Sequence, residues 1–270
     1  MENNKKTFDP RPAFAVAVLC IFLGLLWEGV KWAFDVSDIK LPHLSTIASG
    51  MVNEARREGP PMYAVLLEAA VYTLRGALSG FILGTLLGFV LGVIFVHSPL
   101  LERALVPYVV ASQTVPILAI APMVVIWLRN PDVSVAVIAA YLTFFPVAIN
   151  TLRGLQSPDP RAIELMRSYA ASPWETLWKL RFPAALPYIF TALKIAATAS
   201  VIGAIVGELP SGAQEGLGRA ILNYNQYYAT GPERLWATII VTAAVGILFF
   251  IAVTLAERVA LRNIVREAGG

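Results

Sequence analysis

The chain has 270 residues, of which 57% are hydrophobic and only 14% charged, whereas about a quarter of the residues in soluble domains are charged. This composition excludes an ordinary soluble domain and predicts an all-α polytopic membrane protein, with the lipid bilayer as its main surroundings. The net charge of +3 is too small to indicate a nucleic-acid partner, and the single cysteine excludes a disulfide framework and a cysteine-based metal site.

The N-terminal part of the chain contains the first predicted span. A short polar and basic tail, residues 1–11, precedes an apolar run from Pro12 to Phe34. The run is longer than the apolar core of a signal peptide and lacks a clear small-x-small cleavage site, so we expect an uncleaved span. Residues 35–66 are mixed in polarity and predict an external connection along the membrane. We group the tail, the span and most of this connection as an N-terminal segment, residues 1–64.

The second predicted span, about Ala69–Val96, carries glycine at every fourth position. This spacing places the glycines on one face of a helix, where they allow the backbone of a neighbouring helix to approach closely. Helix packing is therefore the predicted role of the row, and contact with a ligand is the alternative. The glycines are Gly76, Gly80, Gly84, Gly88 and Gly92.

The third predicted span, about Ala104–Leu128, is uncharged and contains three prolines. Proline in a spanning helix frees a backbone carbonyl and kinks the helix, so that a neighbour or a polar cavity must satisfy the carbonyl. Three polar residues, Ser112, Gln113 and Thr114, lie just before the middle proline, Pro116. They are candidates for lining a translocation path, and hydrogen bonding between helices is the alternative.

Three further spans are predicted at about Val133–Leu152, Tyr188–Gly207 and Leu235–Ala256, which makes six of about 20 residues each. Lys194 lies early in the fifth span, and we expect its side chain to extend to the membrane surface. Glu208 lies where that span ends. Its carboxylate is either solvated at the membrane edge or part of the translocation path.

The segment between the fourth and fifth spans predicts a hairpin of two short helices. Asp159 is a candidate N-cap of the first helix, and Ser172 with Glu175 forms a Ser-x-x-Glu capping box at the start of the second. Helical spacing predicts two apolar faces on this hairpin. The first face comprises Ile163, Met166 and Ala170, and the second comprises Trp174, Leu177 and Trp178.

This segment resembles the EAA loop of ATP-binding-cassette importer permeases, whose pattern is E-A-A, three residues, G, nine residues, I-x-L-P. Glu164-Leu165-Met166 stands at E-A-A, Ala170 at the glycine, and Leu180-Arg181-Phe182-Pro183 at I-x-L-P, with the spacing kept throughout. The resemblance implies the type I importer permease fold with six transmembrane helices. Residues 65–260 would form its core, with the coupling loop at 157–187 and a tail at 261–270.

The resemblance also implies partners and site residues. The coupling loop would dock on an ATPase subunit, two of which would bind ATP and Mg; this chain itself would hold no cofactor. The assembly would include an external solute-binding protein and a pair of permease chains, for which a homodimer is the simplest arrangement. The residues implied at the ATPase contact are Glu164, Met166, Arg167, Ala170, Ser172, Trp174, Leu180 and Pro183.

The stretch QTVPILAIAPMVVIW, residues 113–127, resembles the nitrate, sulfonate and taurine subgroup of these permeases. The usual W-F-G-x-G continuation is replaced by Trp127-Leu128-Arg129-Asn130-Pro131. The stretch GELPSGAQEGLG, residues 207–218, is similar to members linked to uptake of pyrimidine-type or vitamin precursors. These resemblances leave two solute classes open, a pyrimidine or vitamin precursor and a nitrate-, sulfonate- or taurine-like anion.

The distribution of basic residues predicts the orientation. With both termini in the cytoplasm, twelve of the 21 lysines and arginines fall on inner segments and seven on outer ones. The coupling loop is then cytoplasmic, and we expect a bacterial inner-membrane protein. The sequence contains no phosphate-binding Gly-x-x-x-x-Gly-Lys-Ser/Thr motif and no His-Glu-x-x-His motif, so we predict no enzymatic activity in this chain. A secondary transporter or channel is the alternative function, although we find no internal symmetry and no central carboxylate.

Overall fold

The computed structural model describes residues 11–53 and 59–267, and side chains from residue 14 to residue 261 within that range. The predictions for the extreme tails, residues 1–10 and 268–270, lie outside it. The described chain is helical. The helices are α1 (Arg11–Ala33), α2 (Leu44–Val52), α3 (Met62–His97), α4 (Pro99–Ser112), α5 (Ile117–Leu128), α6 (Pro131–Gln156), α7 (Pro160–Ser168), α8 (Pro173–Thr176), α9 (Phe182–Ser211), α10 (Leu217–Gln226) and α11 (Pro232–Glu267).

In the part of the chain that the structure describes, five helical stretches are long and apolar enough to cross a membrane. They are α1, α3, α6, α11 and the continuous stretch from α8 through α9. Helices α4 and α5 meet the same criterion only as a pair, and a bend of 96° separates them. The third predicted span is therefore two helices rather than one, and the number of spans is six if the bent pair counts as one. The break arises because Val115 precedes Pro116, and a residue before proline disfavours the helical conformation.

Local caps explain where two of these helices begin. The Asn130 side chain accepts a hydrogen bond from the Val133 amide at 3.1 Å, and Pro131 occupies the first helical position of α6. At the start of α4, the Ser98 hydroxyl accepts a hydrogen bond from the Leu101 amide and Pro99 occupies the first helical position. Both junctions thus combine an N-cap side chain with a proline whose missing N–H costs the helix nothing.

The described residues fall into two compact units. The first contains the chain up to Tyr63 together with Tyr224–Ala237. In this unit the Trp27 indole N–H donates to the Pro42 carbonyl at 3.0 Å, and its ring meets Trp236 edge to face at 4.8 Å. Trp27 therefore holds the connection after α1 against the other segment of the same unit.

A buried lysine organises the turn that follows α1. Lys31 is only 6% exposed, donates to the Leu41 carbonyl at 2.7 Å and forms an ion pair with Asp38. The Lys31 ammonium, which hydrogen-bonds to Asp38, holds the pKa of that carboxyl below its usual range. Glu28 accepts a hydrogen bond from the Leu44 amide at 2.8 Å and so caps α2 from α1. The connection is thus fixed by polar contacts rather than by a large apolar core.

The second unit contains Ala64–Asn223 and the chain from Thr238 onward, and α6 lies at its centre. One apolar cluster joins α6, α9 and α3 through Val147, Ala192 and the partly buried Phe81. Another joins the same three helices nearer the start of α6, through Val135, Val201 and Ala77. Because α6 is enclosed by its neighbours, small residues dominate its buried surface, as close helix packing in a bilayer requires.

Lys194 has a partner that the sequence did not indicate. Its side chain forms an ion pair with Glu257 of α11. The partner is 63 residues further along the chain, so no local pattern indicated it.

Candidate functional site

The hairpin between α6 and α9 begins its helices where the sequence predicted. The Asp159 carboxylate accepts a hydrogen bond from the Arg161 amide at 2.8 Å, which starts α7. At α8 the capping box is complete. The Glu175 amide donates to the Ser172 hydroxyl at 3.2 Å, and the Ser172 amide donates to the Glu175 carboxylate at 2.9 Å. Both predicted helix starts are confirmed, because capping depends on residues close in sequence.

The sequence predicted that the second helix of the hairpin is a separate short helix, and this prediction is wrong. Helix α8 continues through a π-helical turn, Leu177–Arg181, directly into α9. The predicted apolar face is also divided. Leu177 is 2% exposed, whereas Trp174 and Trp178 are 62% and 55% exposed. The leucine therefore anchors the hairpin and the two tryptophans face outward.

Ala170 lies outside α7, in the turn between the two helices, so it does not share a helix face with Ile163 and Met166. Its φ of 54° is in the left-handed region, which disfavours a residue with a Cβ. This is the position where the EAA pattern has glycine. The turn therefore has the left-handed backbone conformation that glycine adopts most easily, although the residue here is alanine.

The predicted contact residues of the hairpin differ in exposure. Glu164, Arg167, Ala170, Ser172, Trp174 and Pro183 are exposed, whereas Met166 and Leu180 are half-buried. Two further exposed residues on the same hairpin were not among the predicted contact residues. Leu165 is 57% and Tyr169 is 78% exposed. Their apolar character within a charged helix was the signal that could have identified them.

The glycine row of α3 faces α6. A Cβ at Gly84 would lie 2.6 Å from both the Ala140 carbonyl oxygen and the Thr143 Cβ. One at Gly88 would lie 2.5 Å from the Phe144 carbonyl oxygen. Gly76, Gly80 and Gly92 also face α6 at distances too short for a Cβ.

The α6–α9 contact uses glycine as well, at positions the sequence analysis did not single out. A Cβ at Gly203 would lie 2.6 Å from the Cα of Ala139, and one at Gly154 would lie 2.9 Å from the Cβ of Tyr188. The backbones of α3, α6 and α9 are therefore as close as glycine allows.

Ser112, Gln113 and Thr114 lie at the break between α4 and α5. Gln113 and Thr114 are exposed and Ser112 is half-buried. The Ser112 carbonyl, which the break frees, accepts a hydrogen bond from the Tyr141 hydroxyl of α6. The Thr114 hydroxyl donates to the Ala111 carbonyl at 2.7 Å. The break is therefore partly satisfied from within the chain but still presents polar groups on its surface.

Glu208 is buried, with 1% of its surface exposed, so the expectation of a solvated carboxylate is wrong. Its Oε2 accepts a hydrogen bond from the Gly218 amide at 2.7 Å, while its Oε1 has no hydrogen-bond partner among the described residues. The Thr73 hydroxyl of α3 accepts from the Leu217 amide at 2.8 Å. Side chains from α9 and α3 thus cap the first two amides of α10.

The turn before α10 is wrapped closely around this carboxylate. Gly216 has a φ of 108°, and a Cβ there would lie 2.5 Å from the Glu208 carboxyl carbon. A Cβ at Gly218 would lie 2.6 Å from the Ile205 carbonyl oxygen. The two glycines of the GLG turn are therefore required by the close approach to Glu208. Among the described residues, no three His, Cys, Asp or Glu side chains are grouped as metal ligands.

Comparison with known proteins agrees with this arrangement. Residues 84–262 match the family described as "Binding-protein-dependent transport system inner membrane component". The chain is 38% identical over 164 residues to the formylaminopyrimidine transport permease protein ThiX of Halalkalibacterium halodurans, which covers 59% of this chain and 63% of that protein. It is 31% identical over 251 residues to the riboflavin transport system permease protein RibX of Chloroflexus aurantiacus, which covers 93% of this chain and 90% of that protein.

The name of a third relative refers to a different solute. The chain is 34% identical over 196 residues to the putative aliphatic sulfonates transport permease protein SsuC of Bacillus subtilis, which covers 73% of this chain and 69% of that protein. The family match extends over more than half of the chain and includes the hairpin, the α4–α5 break region and the Glu208 turn. The chain therefore belongs to the family of binding-protein-dependent transport system inner membrane components, as a multi-pass importer permease of the ATP-binding-cassette type and not a catalytic enzyme.

Proposed function

We propose that this chain is the transmembrane permease subunit of an ATP-driven importer, which passes a small solute from an external binding protein into the cell. Two copies form the path, and two separate ATPase subunits bind ATP and Mg and supply the energy. The chain lies in a bacterial inner membrane with both termini and the α7–α8 hairpin in the cytoplasm. The excess of basic residues on the segments assigned to the cytoplasm supports this orientation.

The observation that carries the proposal is the outward-facing apolar surface of the hairpin, which we call the hairpin surface. It consists of Leu165, Tyr169, Trp174 and Trp178. Each of these side chains is more than half exposed, although the helices that carry them are firmly capped. Exposed aromatic residues on a well-capped support are typical of a protein interface. Their place within the EAA-like pattern supports an ATPase subunit as the partner.

The break between α4 and α5 supports a translocation path between two copies. Irregular backbone at membrane depth is tolerated only where it is buried in protein or lines a water-filled cavity. Gln113 and Thr114 are exposed in the single chain, so lipid is an unsuitable environment for them. A second copy of the chain and a hydrated path beside it would satisfy both polar groups.

The solute belongs to one of two classes that the relatives suggest. The names of ThiX and RibX refer to formylaminopyrimidine and riboflavin, and the name of SsuC refers to aliphatic sulfonates. We propose a pyrimidine or vitamin precursor, or a nitrate-, sulfonate- or taurine-like anion. The choice between them depends on the solute-binding protein, and identifying the ligand that copurifies with that protein would decide it.

The hairpin surface is tested by replacing its tryptophans. We expect Trp174→Ala combined with Trp178→Ala to abolish copurification of the partner ATPase subunit with the membrane-extracted permease. Trp32→Ala is the matched control, because Trp32 is 88% exposed but lies on α1. Unchanged copurification of the double variant would contradict the proposed contact. ATP-independent uptake by the purified chain in proteoliposomes would instead favour a secondary transporter or channel.

A further inference from the structure

Arg181 occupies the variable position of the I-x-L-P part of the EAA pattern, so the resemblance assigns it no role. In the structure it is the last residue of the π-helical turn that joins α8 to α9. Its guanidinium donates a hydrogen bond to the Leu155 carbonyl at 3.2 Å. Leu155 lies in the last turn of α6, at the opposite flank of the loop.

This contact satisfies a carbonyl that a helix cannot satisfy itself. The last four carbonyls of an α-helix have no intrahelical partner and carry the negative end of the helix dipole. The Ser157 hydroxyl donates to the Gly154 carbonyl at 2.7 Å, and Arg181 donates to the next carbonyl along the chain, that of Leu155. A cation is the most favourable donor at this end of a helix.

Apolar packing lies next to the hydrogen bond. Leu177, four residues before Arg181 on the same turn, packs with Leu155, Ala185 and Ile189 in one buried cluster. Phe89 and Val93 of α3 lie against this cluster. The turn therefore directs Leu177 and Arg181 toward the spans while Trp174 and Trp178 face outward.

The turn itself is of a kind that often marks functional sites. The Phe182 amide bonds to the Leu177 carbonyl, five residues back, which widens the helix by one residue at this turn. A segment of this type, without a second attachment, would let the hairpin move independently of α9. The packing of Leu177 on Leu155 and the bond from Arg181 to the Leu155 carbonyl together provide that second attachment.

We propose that Arg181 is a positioning residue that fastens the hairpin to the end of α6, so that a displacement of the hairpin moves α6 and α9 together. The inference rests on the proposed function, because it assigns Arg181 to the step between ATPase docking and movement of the spans. Arg181 acts through the α6 backbone and touches neither ATP nor solute.

The attachment is tested first on the permease alone. Spin labels are placed at Arg153→Cys, near the end of α6, and Tyr169→Cys, in the hairpin, after the native cysteine is removed by Cys20→Ser. Both label sites are exposed. With Arg181 unchanged, we expect a single distance between the two spin labels. In Arg181→Gln we expect the population with a detached hairpin to rise about tenfold, the effect of losing one charge-assisted hydrogen bond.

Lys179→Gln is the matched control, because Lys179 is two residues away, exposed, and paired only with Glu175 among the described residues. We expect its distance distribution to equal that of the parent. If Arg181→Gln does not fold, Arg181→Lys replaces it, since the ammonium lacks the reach and the fork of the guanidinium. We then expect a rise of about threefold. An unchanged distribution in the folded Arg181 variant would overturn the proposal.

The second test uses the complex with the ATPase subunit. A thiol reagent reports the accessibility of Gln113→Cys at the α4–α5 break, with and without ATP and vanadate. We expect Arg181→Gln to keep the ATPase subunit and its hydrolysis but to lose about nine tenths of the ATP-dependent change in labelling rate, for the same reason. Lys179→Gln should retain the whole change.

The outcomes separate this inference from the proposed function. If Arg181→Gln keeps the full ATP-dependent change in labelling rate, the proposed role of Arg181 is overturned. Loss of the ATPase subunit from this variant would also overturn it, because Arg181 would then belong to the docking surface. If even the parent permease binds no ATPase subunit, the proposed function fails, whereas the spin-label experiment still decides whether Arg181 fastens the hairpin.

Discussion

The Lys194 ammonium lies 3.1 and 3.0 Å from the two carboxylate oxygens of Glu257, so that one ion pair links α9 to α11. Both side chains are less than a quarter exposed. A charge in such a place is costly without its partner, because removing one member leaves the other poorly solvated.

We expect Lys194→Met or Glu257→Gln alone to lower the free energy of unfolding by about 1–2 kcal/mol, and the exchange Lys194→Glu with Glu257→Lys to restore most of it. The midpoint of thermal unfolding in detergent measures the effect. Single variants as stable as the parent would show that the pair contributes nothing.

The second prediction concerns the positive φ of Ala170. Glycine at this position removes the steric cost of the left-handed conformation, although it loses more entropy on folding. We expect Ala170→Gly to raise the free energy of unfolding by about 1 kcal/mol. The adjacent Ala171→Gly, whose φ is not positive, should be neutral or destabilising. Equal effects of the two substitutions on thermal stability would refute the explanation.

The third prediction concerns the glycine row of α3. A methyl group at Gly84 would overlap the Ala140 carbonyl and Thr143 of α6. We expect Gly84→Ala to cost about 2–3 kcal/mol, since α3 must move away from α6. Gly246→Ala in α11 is the matched control, because a Cβ there would meet nothing within 4 Å. Thermal unfolding of the two variants side by side provides the measurement, and similar stabilities would argue against close packing by the row.

The fourth prediction concerns Glu208 as a cap of α10. Glu208→Ala removes the acceptor of the Gly218 amide, so we expect amide hydrogen exchange at Gly218 to become at least about tenfold faster. Glu208→Gln keeps an acceptor oxygen at the same reach and should largely preserve the protection. If both variants exchange like the parent, the start of α10 does not depend on this carboxylate.

Features governed by neighbouring residues were predictable from the sequence. The caps at Asp159 and Ser172 and the positions of most spans follow from short patterns of polar and apolar residues. The break at Pro116 was predicted only as a kink, because hydropathy does not distinguish a bent pair of helices from one span. The polar triplet followed by a residue before proline was the available signal.

Features that depend on tertiary contacts were not predictable in the same way. The sequence left Glu208 either solvated or in the translocation path, and its burial was not predicted because the amide that donates to it is ten residues further on. The Lys194–Glu257 pair and the bond from Arg181 to Leu155 join distant segments. The π-helical turn leaves no mark in the apolar pattern, so α8 was predicted as a helix separate from the following span.

The account rests on the hairpin surface meeting an ATPase subunit inside the cell. The most direct test is Tyr169→Cys in the Cys20→Ser background, treated in intact cells and in inverted membrane vesicles with a membrane-impermeant thiol reagent and a short crosslinker. We predict labelling only in the inverted vesicles and a crosslink to the ATPase subunit there. Labelling from outside intact cells, or no crosslink to that subunit in vesicles that contain it, would contradict the account.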